Sequence, residues 1–177
     1  MILQNISGTK REIKNRTDLM NRLEQLMSKY SELSFTFTNR MPDFQGACIF
    51  NNEVYINSNR TYRQNLQDTA EEIGHWKTTA GDITETKALY DQHQENEARQ
   101  VGYMMIVGLD GLIDCFKKGI TTPWDIADFF ECNIDYIWSA LNTYKVKYGE
   151  NFDYKGYNFD LRRGFNMARI CQTSKAK

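Results

Sequence analysis

The sequence predicts an α+β fold on three observations. Residues 16–30 place Leu, Met and Tyr side chains at three- and four-residue spacing, as on one face of a helix. Residues 33–57 contain short runs rich in β-branched and aromatic residues, and the first of them alternates with period two. From residue 60 onward most apolar residues return to helical spacing. A short strand region enclosed by helices therefore indicates an α+β domain.

The composition is that of a folded protein and excludes several classes. Of the 177 residues, 41% are hydrophobic and 25% are charged, which excludes disorder of the whole chain. The net charge of −1 at pH 7 disfavours a globally basic nucleic-acid-binding protein. No apolar run approaches the roughly 18–20 residues of a membrane-spanning helix. The N-terminal residues lack the apolar core of a secretory signal, so we expect a cytoplasmic protein without membrane contact.

The four cysteines are scattered and form no CxxC pair. This spacing argues against both a disulfide framework and a structural zinc knuckle. We expect reduced thiols, with Cys115 and Cys132 in the core because their neighbours are apolar. The cysteines are Cys48, Cys115, Cys132 and Cys171.

Three strands are predicted ahead of the main helix. The first covers residues 33–38, and the other two cover 46–50 and 53–57. Asn51 and Asn52 separate the last two, and Asn tolerates left-handed backbone, so these strands form a predicted hairpin. A further small hairpin is predicted over residues 152–161.

Helices are predicted over residues 60–79 and 92–107, with a loop at 80–91 between them. A third helix begins near Leu109. Residues 121–146 predict a two-helix unit, in which Pro123 lies in the first turn and a short break falls at residues 131–133.

These elements suggest three parts of the chain. We predict a core over residues 1–107 and a C-terminal helical region with its terminal hairpin over 108–161. Residues 162–177 carry five Lys or Arg and no acid, so we expect a flexible basic tail there.

The chemically informative stretch is Glu71-Glu72-Ile73-Gly74-His75, followed twenty residues later by Glu95. On a helix, Glu71 and His75 share one face. With Glu72 adjacent, this is the geometry of the His-Glu-x-x-His zinc-hydrolase helix, with Glu71 in place of the first histidine. Gly74, costly inside a helix, would let another element or a substrate come close.

A metal site needs a third ligand, and Glu95 on the next helix is the natural choice. A carboxylate binds Zn²⁺ at nearly the same distance as an imidazole. The extra negative charge of Glu71 would make bound water less acidic and shift the preference towards Mn²⁺ or Fe²⁺. Glu72 would then be the general base that takes a proton from the metal-bound water.

Simpler interpretations remain open at this point. The acidic stretch can be a solvated helix face with a surface histidine. His93 is expected at the surface and is a reserve ligand in place of Glu95. The two-helix unit has the outline of a helix-turn-helix, but residues 135–147 are mostly aromatic and apolar, which favours packing and substrate docking over base reading. Phosphate binding by the basic tail would be lost at high salt.

The same motifs resemble the ImmA/IrrE family of metallo-endopeptidases, in particular its branch in phages and mobile elements of Gram-positive bacteria. The resemblance covers roughly residues 18–161. The matching stretches are residues 70–79 (AEEIGHWKTT), 81–83 (GDI), 95–103 (ENEARQVGY), 124–127 (WDIA) and 141–149.

The resemblance implies a zincin-like metallopeptidase domain with an active-site helix, a small antiparallel sheet, a glutamate helix and a C-terminal helical region. It implies Zn²⁺ held by Glu71, His75 and Glu95, with Glu95 and not Glu97 as third ligand, and Glu72 as the catalytic residue. An edge strand beside the cleft, at residues 53–57, would pair with an extended substrate.

The resemblance also implies the partner. Members of the family cleave helix-turn-helix repressors, so we expect a protein substrate such as a phage-type repressor. Most of the wider family has His at position 71. The alternative is therefore an inactive or weakly active member that works as an antirepressor or inhibitor by protein–protein binding.

Overall fold

A computed structural model describes residues 20–78 and 87–171, with only the backbone described for 87–92. This part of the chain has the predicted α+β architecture. Its helices are α1 (Arg22–Met27), α2 (Tyr62–Thr78), α3 (Lys87–Ile106), α4 (Leu109–Lys117), α5 (Pro123–Phe129) and α6 (Ile134–Tyr148). Its strands are β1 (Ser34–Thr38), β2 (Ala47–Phe50), β3 (Glu53–Asn57), β4 (Asn151–Tyr154), β5 (Tyr157–Asp160) and β6 (Asn166–Arg169).

The first helix is shorter than the sequence predicts over its described residues. Asn21 accepts a hydrogen bond from the backbone N–H of Glu24, and the Glu24 side chain accepts from the Asn21 N–H. This capping box starts α1 at Arg22. Residues 16–19 of the predicted helix lie outside the described part of the chain.

The N-terminal sheet has the strand order β1-β3-β2. The predicted β2–β3 hairpin is confirmed, with φ of 47° at Asn51 and 62° at Asn52. The expectation of an antiparallel sheet holds for β2 and β3 and is wrong for β1, which pairs with β3 in parallel. Residues 53–57 are also not an edge strand: Val54 and Ile56 are fully buried, and β3 lies in the centre of the sheet. The edge beside α2 is β2.

Helices α2 and α3 pack at small residues. A Cβ atom on Gly74 would lie 2.2 Å from the carbonyl oxygen of Ala98, and one on Gly102 would lie 3.1 Å from that of Ala70. Ala70 and Ala98 are completely buried. The expectation that Gly74 admits a neighbouring element is confirmed, because the backbone of α3 occupies the space where a side chain would be.

Helix α3 begins earlier than predicted. Residues 87–91 (KALYD), predicted as loop, form its first turns, and Lys, Ala and Leu among them have high helix propensity. Residues 79–86, which include the rest of the predicted loop and the motif positions 81–83, lie outside the described residues.

The C-terminal part confirms the two-helix unit and the β4–β5 hairpin, whose turn has φ of 48° at Lys155 and 80° at Gly156. The expectation of a flexible tail from residue 162 is wrong for residues 166–169. They form β6, which pairs with β5, and Met167 packs against the core opposite Phe159. Residues 172–177 of that predicted tail lie outside the described part.

One hydrophobic core joins the two sheets and the helices. It runs from Leu23 and Val54 through Ile73 to Ile137 and Phe159, and so crosses the predicted boundary at residue 107. Cys115 and Cys132 are buried, as predicted, and burial raises their thiol pKa values to about 11 and about 12. Among the described helices, none combines the length and the apolar character that crossing a bilayer requires.

Candidate metal centre

The crossing of α2 and α3 brings the three predicted ligands together. Glu71 and His75 lie one turn apart on α2, and Glu95 faces them from α3. One ligand atom from each of the three lies within 4.8 Å of the others. The Nε2 atom of His75 is 3.3 Å from Oε2 of Glu95. The three side chains are between 27% and 37% exposed, so a metal ion could reach them from solvent.

The donor set fits a divalent transition metal. Carboxylate and imidazole groups both ligate catalytic Zn²⁺, for which the protein supplies three donors and leaves one position open. Donor atoms that share one Zn²⁺ ion at about 2.0–2.2 Å lie about 3–4 Å from each other. The three ligand atoms lie within 4.8 Å of one another, so they would have to approach by about 1 Å to reach that spacing. The same oxygen-rich set also suits Mn²⁺ or Fe²⁺.

Glu72 lies beside this group in a different environment. Its carboxylate is mostly buried and accepts a hydrogen bond from the backbone N–H of Ile49 in β2. Burial is the main cause that raises its pKa from 4.5 to about 7, and the neighbouring carboxylate of Glu71 adds to the shift. A carboxylate with a pKa near neutrality can accept and return a proton at physiological pH.

A guanidinium that sequence analysis missed completes the site. Arg99 lies one turn beyond Glu95 on α3, and its Nε atom is 3.0 Å from Oε1 of Glu71. Its Nη2 atom also contacts Oε1 of Glu95. The four-residue spacing from Glu95 was visible in the sequence. Its contact with Glu71 depends on how the two helices cross, which the sequence did not predict.

The edge strand β2 runs next to the helix that carries the site. The Ile49 N–H points away from β3, since it reaches the Glu72 carboxylate on α2. The indole of Trp76, directly after His75, donates to the side-chain oxygen of Asn52 at 3.3 Å. These two hydrogen bonds therefore join the β2–β3 hairpin to α2 on one side of the sheet.

The other candidate residues lie elsewhere. His93 is exposed, as expected, and Glu95 rather than His93 belongs to the ligand group. Glu97 is exposed as well. In the two-helix unit, α6 buries Tyr136, Ile137, Leu141 and Tyr144, which agrees with a packing role for that helix.

No model of a known protein family matches this chain, and a search of curated proteins finds no match. The function is therefore inferred from the geometry and chemistry of the site itself.

Proposed function

We propose that the protein is a metal-dependent endopeptidase of zincin-like architecture. Glu71, His75 and Glu95 would hold the metal, most readily Zn²⁺, and Glu72 would be the catalytic residue. The observation that carries the proposal is the convergence of three ligand atoms within 4.8 Å across two helices, next to a carboxyl group with a pKa of about 7.

In the proposed hydrolysis, the metal and the protein side chains have different roles. When bound, the ion would polarise the scissile carbonyl and acidify a water molecule. Glu72 would accept a proton from the attacking water and later deliver it to the departing amide nitrogen, so that one water is consumed for each peptide bond cleaved. Burial raises the pKa of the Glu72 carboxyl to about 7, so that it can exchange a proton near neutral pH.

The substrate in this proposal is an extended segment of a protein. Strand β2, at the sheet edge beside α2, offers backbone groups for strand addition, apart from the Ile49 N–H, which donates to Glu72. It replaces residues 53–57 in that role, since β3 is central. The sequence resemblance favours a cytoplasmic regulatory protein as the substrate, such as a phage-type helix-turn-helix repressor.

A second candidate function is repressor binding without cleavage. Arg99 contacts both ligand carboxylates, so a cation already neutralises part of the site in the absence of metal. A site that keeps its shape in this way could serve as a binding surface.

Metal content is the first test. Protein purified without a metal-affinity tag is analysed by elemental mass spectrometry as wild type, His75→Ala and Glu72→Gln. We expect near-stoichiometric metal in the wild type and in Glu72→Gln, and loss of the metal in His75→Ala. If the wild type holds no metal even after Zn²⁺ or Mn²⁺ is added, the metallopeptidase proposal is wrong.

Cleavage separates the two functions. We expect the wild type to cut a purified phage-type repressor or a fluorogenic peptide library. Glu72→Gln should bind metal normally but lose at least about 100-fold in rate, since general-base catalysis contributes 10²–10⁴-fold. If Glu72→Gln still inactivates the repressor without cleaving it, the binding function is supported instead.

A further inference from the structure

The carboxylates of Glu71 and Glu95 face each other across the helix crossing, where two negative charges repel. Both side chains are only partly buried, at 35% and 37% exposed. Without a partner, each would turn towards water. The structure contains an internal cation between them, the guanidinium of Arg99.

The contacts of Arg99 are divided between the two ligands. Its Nε atom pairs with Oε1 of Glu71 at 3.0 Å, and its Nη2 atom pairs with Oε1 of Glu95. The other oxygen of Glu95, Oε2, faces Nε2 of His75 at 3.3 Å. Arg99 thus contacts one oxygen of each carboxylate. The second oxygen of Glu95 lies on the side of the His75 imidazole.

We infer that Arg99 is a positioning residue of the proposed metal site, which holds Glu71 and Glu95 by one oxygen each so that their other oxygens meet the metal. This inference rests on the proposed function. The planar guanidinium suits the task, because its donors point in fixed directions and can bridge two carboxylates at once. Groups that orient metal ligands typically change metal affinity by 10–100-fold when removed.

The guanidinium of Arg99 also compensates the negative charge of Glu71. Two carboxylates and one guanidinium together carry one net negative charge, which equals the charge of a site built from two neutral histidines and one carboxylate. Arg99 therefore offsets the negative charge that Glu71 adds relative to the His-Glu-x-x-His helix.

The test is metal affinity, measured by calorimetric titration of metal-free protein with Mn²⁺ and with Zn²⁺. The variants are Arg99→Met, which keeps an unbranched apolar stem, and Arg99→Lys. The lysine keeps the positive charge but lacks the planar guanidinium that bridges two carboxylates. Arg162→Met is the matched control, because Arg162 forms an exposed ion pair with Asp160 next to the C-terminal sheet. Circular dichroism and a thermal melt establish that each variant is folded.

We expect Arg99→Met to lose about 10–100-fold in affinity, Arg99→Lys to lie between it and the wild type, and Arg162→Met to bind as the wild type does. The visible spectrum of the Co²⁺ form should change in Arg99→Met, since it reports ligand geometry.

A guanidinium also repels a divalent ion. If that repulsion outweighs positioning, Arg99→Met binds metal as tightly as the wild type or more tightly, and the inference is overturned. Full restoration by Arg99→Lys would show that charge alone suffices and would equally overturn a positioning role. Absence of metal binding in the wild type itself is a different result, because it refutes the metal site before any Arg99 variant is compared.

Discussion

Glu72 shows how strongly burial acts on a single residue. It follows Glu71 directly, yet lies one step around the helix and contacts the edge strand through the Ile49 N–H. Desolvation favours its neutral form, and this is what brings its pKa to about 7. Since the folded state holds this proton more tightly than the unfolded chain, folding and titration of Glu72 are linked.

This linkage predicts a pH dependence of stability in chelator-treated protein. The stabilising contribution of the protonated Glu72 is complete below pH 4.5 and is lost as the pH rises through about 7. Glu72→Gln mimics the neutral carboxyl at every pH. As the pH rises from 4.5 to 8, we expect the unfolding free energy of the variant to increase by roughly 2–3 kcal/mol relative to that of the wild type. Urea denaturation at each pH measures this difference.

The matched control for this prediction is Glu97→Gln, which removes the same charge from an exposed position on α3. If the unfolding free energies of the two variants changed with pH in the same way, burial would not be the cause of the raised Glu72 pKa.

At the residue scale, the sequence predicted that the candidate ligands Glu71 and His75 share one helix face, because their spacing is local. Glu71 and His75 are four residues apart on one helix, and such pairs share a face in any α-helix. The contact between Arg99 and Glu71 was not predictable in this way. It requires the relative rotation of two helices, which depends on packing at Ala70, Gly74 and Ala98.

At the scale of elements, the α2–α3 crossing has a sharp steric requirement at Gly74. A Cβ atom there would approach the Ala98 carbonyl oxygen to 2.2 Å and its carbon to 2.9 Å, and both belong to the backbone. The helices must separate to admit it. We therefore expect Gly74→Ala to lower the unfolding free energy by about 1–3 kcal/mol despite the better helix propensity of Ala.

Urea denaturation measures this effect, and metal titration should show weaker binding in the same variant, since the ligands lie on both helices. Gly108→Ala is the control, because a Cβ on Gly108 meets only the Met104 carbonyl oxygen at 3.8 Å. Equal stability of Gly74→Ala and wild type would show that the helices can part at no cost.

The strand order shows a limit of sequence reasoning at this scale. The period-two pattern and the Asn51-Asn52 turn predicted the hairpin, because both signals are local. The parallel pairing of β1 with β3 joins segments on either side of β2. Nothing in the alternation of one strand specifies which neighbour it takes, so the central position of β3 could be recognised only in the folded structure.

At the scale of the whole molecule, the C-terminal sheet packs against the same core as the N-terminal part. Phe159 is fully buried, and Met167 of β6 packs against this core. The positive charges of residues 162–177 suggested a solvated tail, but charge alone does not report that Phe165 and Met167 have apolar partners.

This packing predicts a difference between two neighbours in β6. Met167→Asp places a charge against the core and should lower the unfolding free energy by about 1–3 kcal/mol. Ala168→Asp adds the same charge at an exposed position and should change it by about 0.5 kcal/mol or less. Thermal melts of both variants decide the point, and equal melting temperatures would mean that β6 contributes nothing to the fold.

The division of the candidate metal site between two helices has a kinetic consequence. Glu71 and His75 form one half by helical spacing alone, and Glu95 and Arg99 form the other. The halves meet only when α2 docks on α3. A divalent ion that binds there would therefore report when this docking occurs during folding. Metal that accelerates refolding places the contact before the rate-limiting step, whereas metal that only slows unfolding places it afterwards.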